Sequence, residues 1–223
     1  PHAPLRRQRQ MCIRDRGIIR SVIQKYLRSL GINKFNPKTA SVAAHEDIIK
    51  NTRRWLDQMV VGLNLCPFSS CVIAQDQVHY AICDATSDAD LKKFYVKELE
   101  RLLEADENDI ATSLLMFTQG LEIFDDYLDL LDWFQELLEQ ADLIEHVQLA
   151  SFHPRYQFEG VPADDLSQFT NRAPYPTIHI LRQAHLSRAL ANVAEPEKIY
   201  TENIKTLIKL GRLQVEALCP WGK

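Results

Sequence analysis

The sequence predicts an α/β fold: a small, at least partly parallel sheet of three to four strands flanked by helices, with a helical C-terminal portion. Three observations predict it. Short apolar runs alternate with amphipathic stretches in the order helix, strand, helix, strand, helix, strand, helices, the pattern of strands joined by helical crossovers. The 223 residues are 46% hydrophobic, enough to bury one sizeable core. No internal repeat or low-complexity linker divides the chain, so residues 46–211 read as a single α/β domain with a C-terminal tail at 212–223.

Residues 1–16 read as a technical scar. The run Arg6-Arg7-Gln-Arg-Gln-Met-Cys-Ile-Arg-Asp15 matches the translation of a transposase-based sequencing adaptor and is set aside as a tag would be. Residues 17–45 are an N-terminal extension of open status. Ile18, Ile19, Val22, Ile23, Tyr26, Leu27 and Leu30 keep helical spacing before Gly31. However, no methionine lies between Met11 and Met59, so the segment is either a first helix or translated upstream sequence.

Composition excludes several function classes. The formal net charge is −4 and the pI about 6.0. Without residues 1–16, which hold five arginines and one aspartate, 21 basic face 29 acidic residues, a net of −8. No basic field invites nucleic acid. The longest apolar runs are far too short to span a bilayer. Cys66, Cys71, Cys83 and Cys219 lack paired spacing, which fits a reducing, cytoplasmic setting rather than a disulfide framework. The sequence carries no signal of oligomeric state.

From Glu46 the elements follow in order. Ile48, Ile49, Trp55, Leu56, Met59, Val60 and Leu63 form a helical stripe, with Gly62 suited to a left-handed stop. Pro67 biases Cys66 towards extended geometry. Residues 72–83 have strand composition, as one strand or a short hairpin. Ser87 caps a helix whose buried face runs from Leu91 through Phe94 and Tyr95 to Leu103. Residues 112–117 are a short buried strand, 121–140 a long helix, and 143–150 a third strand. Residues 177–185 read as a short helix begun by Pro176, against an Ile178/Ile180 alternation that suits a strand. Pro196 starts a last helix, stopped by Gly211.

Ligands of open parallel sheets collect beyond the carboxyl ends of the strands. That rule gathers the loops at 84–86, 118–120 and 153–158. The third opens residues 151–182, the richest polar stretch of the chain. There His153 is the candidate acid/base and Tyr156, with Asn171, an orienting group. Arg172, read as preceding a helix N-terminus, and Arg182 are candidate clamps for an anion. Tyr175 and His179 complete the ligand-binding set, and Cys66 is a candidate nucleophile or ligand. Each has a plainer alternative: a capped loop residue for His153, a core histidine for His179, loop clamps for the arginines, buried filler for Cys66. Cys66 also poses a geometric test, since a position on the opposite sheet face from His153 ends any Cys–His mechanism.

His153, His179 and His185 lack tight metal-ligand spacing, so no metal is expected. Phosphate-loop, dinucleotide and nucleophile-elbow signatures are absent from the sequence, and no cofactor is identified.

Four stretches carry a resemblance: Thr52-Arg-Arg-Trp-Leu, Gly62-Leu-Asn-Leu-Cys-Pro-Phe68, Ala150-Ser-Phe-His-Pro-Arg-Tyr-Gln-Phe158 and Thr170-Asn-Arg-Ala-Pro-Tyr-Pro176. In this order they resemble the bacterial domain-of-unknown-function family 1415. The resemblance implies that Cys66, His153, Asn171, Arg172 and Tyr175 belong to recurring motifs; it implies no reaction. Ala173 and Gln183 stand where the family usually has serine and glutamate, which removes a serine nucleophile and a His–Glu pair there.

Two expectations follow. One is an enzyme or binding protein for a small anionic metabolite, held by Arg172 with His153 as acid/base. The other is a noncatalytic partner-binding domain with an aromatic surface around Phe152 and Tyr175. A concave pocket shared by His153, Arg172 and His179 favours the first, a flat aromatic patch the second.

Overall fold

The computed structural model describes residues 42–221 except 192, together with Ser21, Ile23, Lys25 and Arg28. The adaptor-like residues 1–16 lie outside these. The four isolated residues are helical, and the Ile23 side chain is fully buried in the core.

A sheet of four strands organises the molecule: β1 (Val78–Cys83), β2 (Thr112–Phe117), β3 (Val147–Phe152) and β4 (Thr177–Arg182), in the order β1-β2-β4-β3. β1 and β2 are parallel, whereas β4 lies antiparallel between β2 and β3. β1, β2 and β3 therefore share a direction, and their carboxyl ends lie at one edge of the molecule.

Within residues 42–221, seven α-helices surround the sheet: α1 (Val42–Trp55), α2 (Ser69–Ala74), α3 (Asp88–Glu104), α4 (Phe124–Gln140), α5 (Gln183–Leu190), α6 (Ile199–Leu210) and α7 (Arg212–Leu218). The period-2 alternation of the strands separates two cores. Ala81, Leu115, Ile178 and Ile180 face α3 and α4, where Tyr95 stacks on Phe134 at a 3.7 Å centroid distance. Leu114 faces the opposite way, towards Trp55, Met59, Phe169 and Leu207. The result is three layers, helix, sheet, helix. No helix among the described residues is long and apolar enough to cross a membrane.

Local chemistry explains the well-read elements. The Ser87 side chain accepts from the Asp90 N–H and starts α3, with Asp88 and Asp90 in its first turn. All six residues of β2 are buried, as suits a strand with helices on both faces. Glu98 of α3 is tied to β1 by His79 at 2.9 Å and to Arg101 at 2.9 Å.

Four expectations are corrected. Residues 177–182 form a strand, and the helix starts only at Gln183. Pro176 lacks an N–H but stands just before the ladder, so it costs no sheet bond; neighbours on both sides supply the pairing that local propensity did not reveal. Residues 72–83 are neither one strand nor a hairpin, because α2 ends at Ala74 and β1 begins at Val78. Gly62 is not left-handed: its φ of −60° closes a π-helical turn, Leu56–Val61, through an N–H to the Asp57 carbonyl. Arg172 precedes no helix; it follows the 3₁₀ turn Leu166–Thr170.

Candidate functional site

On the face away from α3 and α4, the sheet does not meet its cover everywhere. A cavity of about 490 Å³ remains between β1–β4 and the helical layer formed by the end of α1, the π-helical turn, α2, α5 and α6. Its walls are mostly aliphatic and aromatic. Phe152 packs edge-on against Trp55 at 5.2 Å. Each of the four stretches that carry the family resemblance contributes to this wall: Trp55, Cys66, Phe152 and Asn171 all border it.

One titratable group faces the cavity from the centre of the sheet. On β4, Ile178 and Ile180 point into the other core, so His179 points to this side. Its Nε2 lies 2.6 Å from Thr112 Oγ1, whose hydroxyl also contacts the Ile180 carbonyl at 2.7 Å. Burial pushes the imidazole down to a pKa of about 4, so it is neutral at physiological pH.

The carboxyl ends of the strands form a second, more polar place. Asp84 follows β1 and accepts from Thr118 Oγ1 at 2.6 Å and from His45 Nε2 at 2.7 Å. The three loops expected there do converge. His153 Nε2 donates to the Leu121 carbonyl at 2.9 Å, and its Nδ1 accepts from the Arg155 N–H at 3.0 Å. Both ring nitrogens are thus engaged, burial holds the pKa below the usual histidine value, and the residue is 1% exposed. Arg155 reaches the Glu122 carbonyl. A cleft of about 260 Å³ lies beside them, bordered by His153, Arg155, Thr118 and Tyr175. Tyr175 also accepts from the Asn51 amide at 3.0 Å.

The predicted residues divide between these places. Cys66, Asn171, His179 and Arg182 border the cavity, while His153 and Tyr175 border the strand-end cleft. The ring of His153 packs against Phe124 and Tyr127 of α4, on the opposite sheet face from Cys66, so the two do not form a Cys–His pair. Tyr156 packs against Phe124 and Phe158, with its hydroxyl 3.3 Å from Ser151 Oγ. Asn171 ties its loop to β3 through the Ser151 carbonyl at 3.0 Å.

The arginines bind carbonyls. Arg172 donates to Tyr156 O at 3.4 Å and Ala163 O at 3.2 Å, and stacks over the Phe169 ring. Arg182 donates to Ile110 O at 3.0 Å and to the Leu102 and Ala105 carbonyls at the end of α3, where the helix dipole favours a cation. His153, Arg172 and His179 therefore do not share one pocket. Sequence reasoning missed His45 and Thr112, since a histidine near the start of a helix and a threonine opening a strand carry no signal alone. Among the described residues no cluster of three or more His, Cys, Asp or Glu is placed to hold a metal.

These features define a three-layer α/β protein with a largely apolar, partly open cavity on one sheet face. The chain belongs to the protein family of unknown function DUF1415, whose model matches residues 47–217. No curated protein and no solved structure matches it.

Proposed function

We propose that this protein holds a small, largely apolar molecule in the cavity against His179. The observation that carries the reading is the cavity itself. At about 490 Å³ it falls in the size range of small-molecule sites. Closing that space with side chains would recover packing energy, so leaving it open costs stability unless something occupies it.

The test is titration with the fluorescent probe N-phenyl-1-naphthylamine. Wild type binds it, while Ala150→Leu and Ala189→Phe, which fill the space from β3 and α5, bind at least about tenfold more weakly, a loss of about 1.4 kcal/mol. Equal affinity in folded variants, or no binding to wild type, overturns the reading.

A small anionic metabolite is the second reading, favoured by the strand-end cleft where Arg155 and Tyr175 come together. Here the cation is Arg155 rather than Arg172. Inorganic phosphate or a small carboxylate such as malonate would raise the melting temperature of wild type more than that of Arg155→Ala; equal shifts remove this reading.

A further inference from the structure

Resting on the cavity reading, we infer that the ligand presents a hydrogen-bond donor, a hydroxyl, phenol or N–H on an apolar body, to Nδ1 of His179. The argument is one of proton placement. A threonine hydroxyl has a single hydrogen. Thr112 Oγ1 makes contacts of 2.7 Å to the Ile180 carbonyl and 2.6 Å to His179 Nε2. The carbonyl can only accept, so the hydroxyl donates to it. The contact to His179 then needs its proton on Nε2. The opposite assignment leaves two oxygens 2.7 Å apart with no hydrogen between them, which is repulsive.

A neutral imidazole with its proton on Nε2 carries a lone pair on Nδ1. That nitrogen has no partner among the described residues, and the ring borders the cavity.

Five other polar side chains of the wall show the same bias. The donors of Ser69, Thr170, Asn171 and Asn203 run to the carbonyls of Cys66, Ser167, Ser151 and Leu65. Arg182 donates to three more. These side chains use their donors on the protein's own backbone, and His179 turns an acceptor to the occupant. Once an apolar body covers Nδ1, leaving that acceptor unpaired costs about 1–3 kcal/mol, which a donor on the ligand avoids. A carboxylate at this point would set lone pair against lone pair, so the anion expected from the arginines does not suit it.

Three probes of one size separate the readings: naphthalene, 2-naphthol and 2-methoxynaphthalene, measured by calorimetry at pH 7.5. All three bind, and 2-naphthol binds about tenfold tighter than its methyl ether. In His179→Leu that preference disappears while naphthalene still binds. The tautomer is read separately from the two-bond ¹H–¹⁵N spectrum of wild type, which shows Nδ1 unprotonated and shifted when 2-naphthol is added. Equal affinity for naphthol and its ether, or a proton on Nδ1, overturns the inference and leaves the cavity reading standing. Failure of all three probes to bind overturns both. If His179→Leu does not fold, the wild-type affinities and the spectrum still decide.

Discussion

His179 links the pH behaviour of the protein to one side chain. Unfolded, its imidazole takes a proton near pH 6.5; folded, burial delays this to about 4. Between those values the unfolded state binds a proton that the folded state refuses, so stability falls as pH drops from about 6.5 and levels off below about 4. The slope reaches at most about 1.4 kcal/mol per pH unit, less the screening due to the ring's partial exposure at the cavity. His153 and His185 are shifted in the same direction, so the test is a difference. Urea unfolding at pH 7.5, 5.5 and 4.5 shows a shallower pH dependence for His179→Gln than for wild type, and parallel curves refute the assignment. His153 makes another residue-scale prediction. Its removal strands the Leu121 carbonyl and the Arg155 N–H, so His153→Ala loses about 2–4 kcal/mol, read as a lower urea midpoint. The Arg155 contact is that of the capped loop residue weighed from the sequence, but the Leu121 partner was not legible, because it is backbone 32 residues away and a side chain's identity does not report on distant carbonyls. The same reason hid the roles of Arg172 and Arg182: guanidinium charge was visible, carbonyl partners were not.

Among the elements, the π-helical turn after α1 depends on a missing atom. A Cβ on Gly62 would lie 2.6 Å from the Gln58 carbonyl oxygen and 2.9 Å from that of Asp57, both backbone atoms that cannot swing aside. Gly62→Ala therefore unwinds the turn and loses about 1–3 kcal/mol. Leu56 and Val60 of the turn border the cavity, so N-phenyl-1-naphthylamine affinity falls with stability; an unchanged urea midpoint refutes the packing argument. A glycine after an apolar stripe is visible in the sequence, but a left-handed stop and a tight right-handed turn look alike there. β4 failed for a related reason. Its Ile178/Ile180 alternation was present, yet Pro176 and the short run suit a helix start equally well. The ladders to β2 and β3 decide the matter, and they are long-range. Helices α3 and α4 were legible because cap, stripe and charged face agreed within each segment.

For the whole molecule, the cavity predicts the response to pressure. Unfolding eliminates internal voids, so high pressure favours the unfolded chain. An occupant fills part of that space and also binds only the folded form. Saturating 2-naphthol should raise the midpoint of pressure unfolding and reduce the magnitude of the unfolding volume, followed by tryptophan fluorescence. The same volume with and without ligand means that the probe sits elsewhere. The overall layering was readable from the alternation of segments. The chamber was not, because an unfilled space is a property of how separate helices meet the sheet and leaves no trace in any one of them.

The position of β4 has a consequence for synthesis. It is the last of these four strands in chain order, yet it stands between β2 and β3, so on the ribosome β3 has no neighbour in this sheet until Arg182 has emerged. A nascent chain ending near residue 176 holds only the β1–β2 pair and an open edge, a state prone to mispairing and chaperone capture. Arrested chains of increasing length would gain protease resistance abruptly beyond residue 182 and not gradually along the chain.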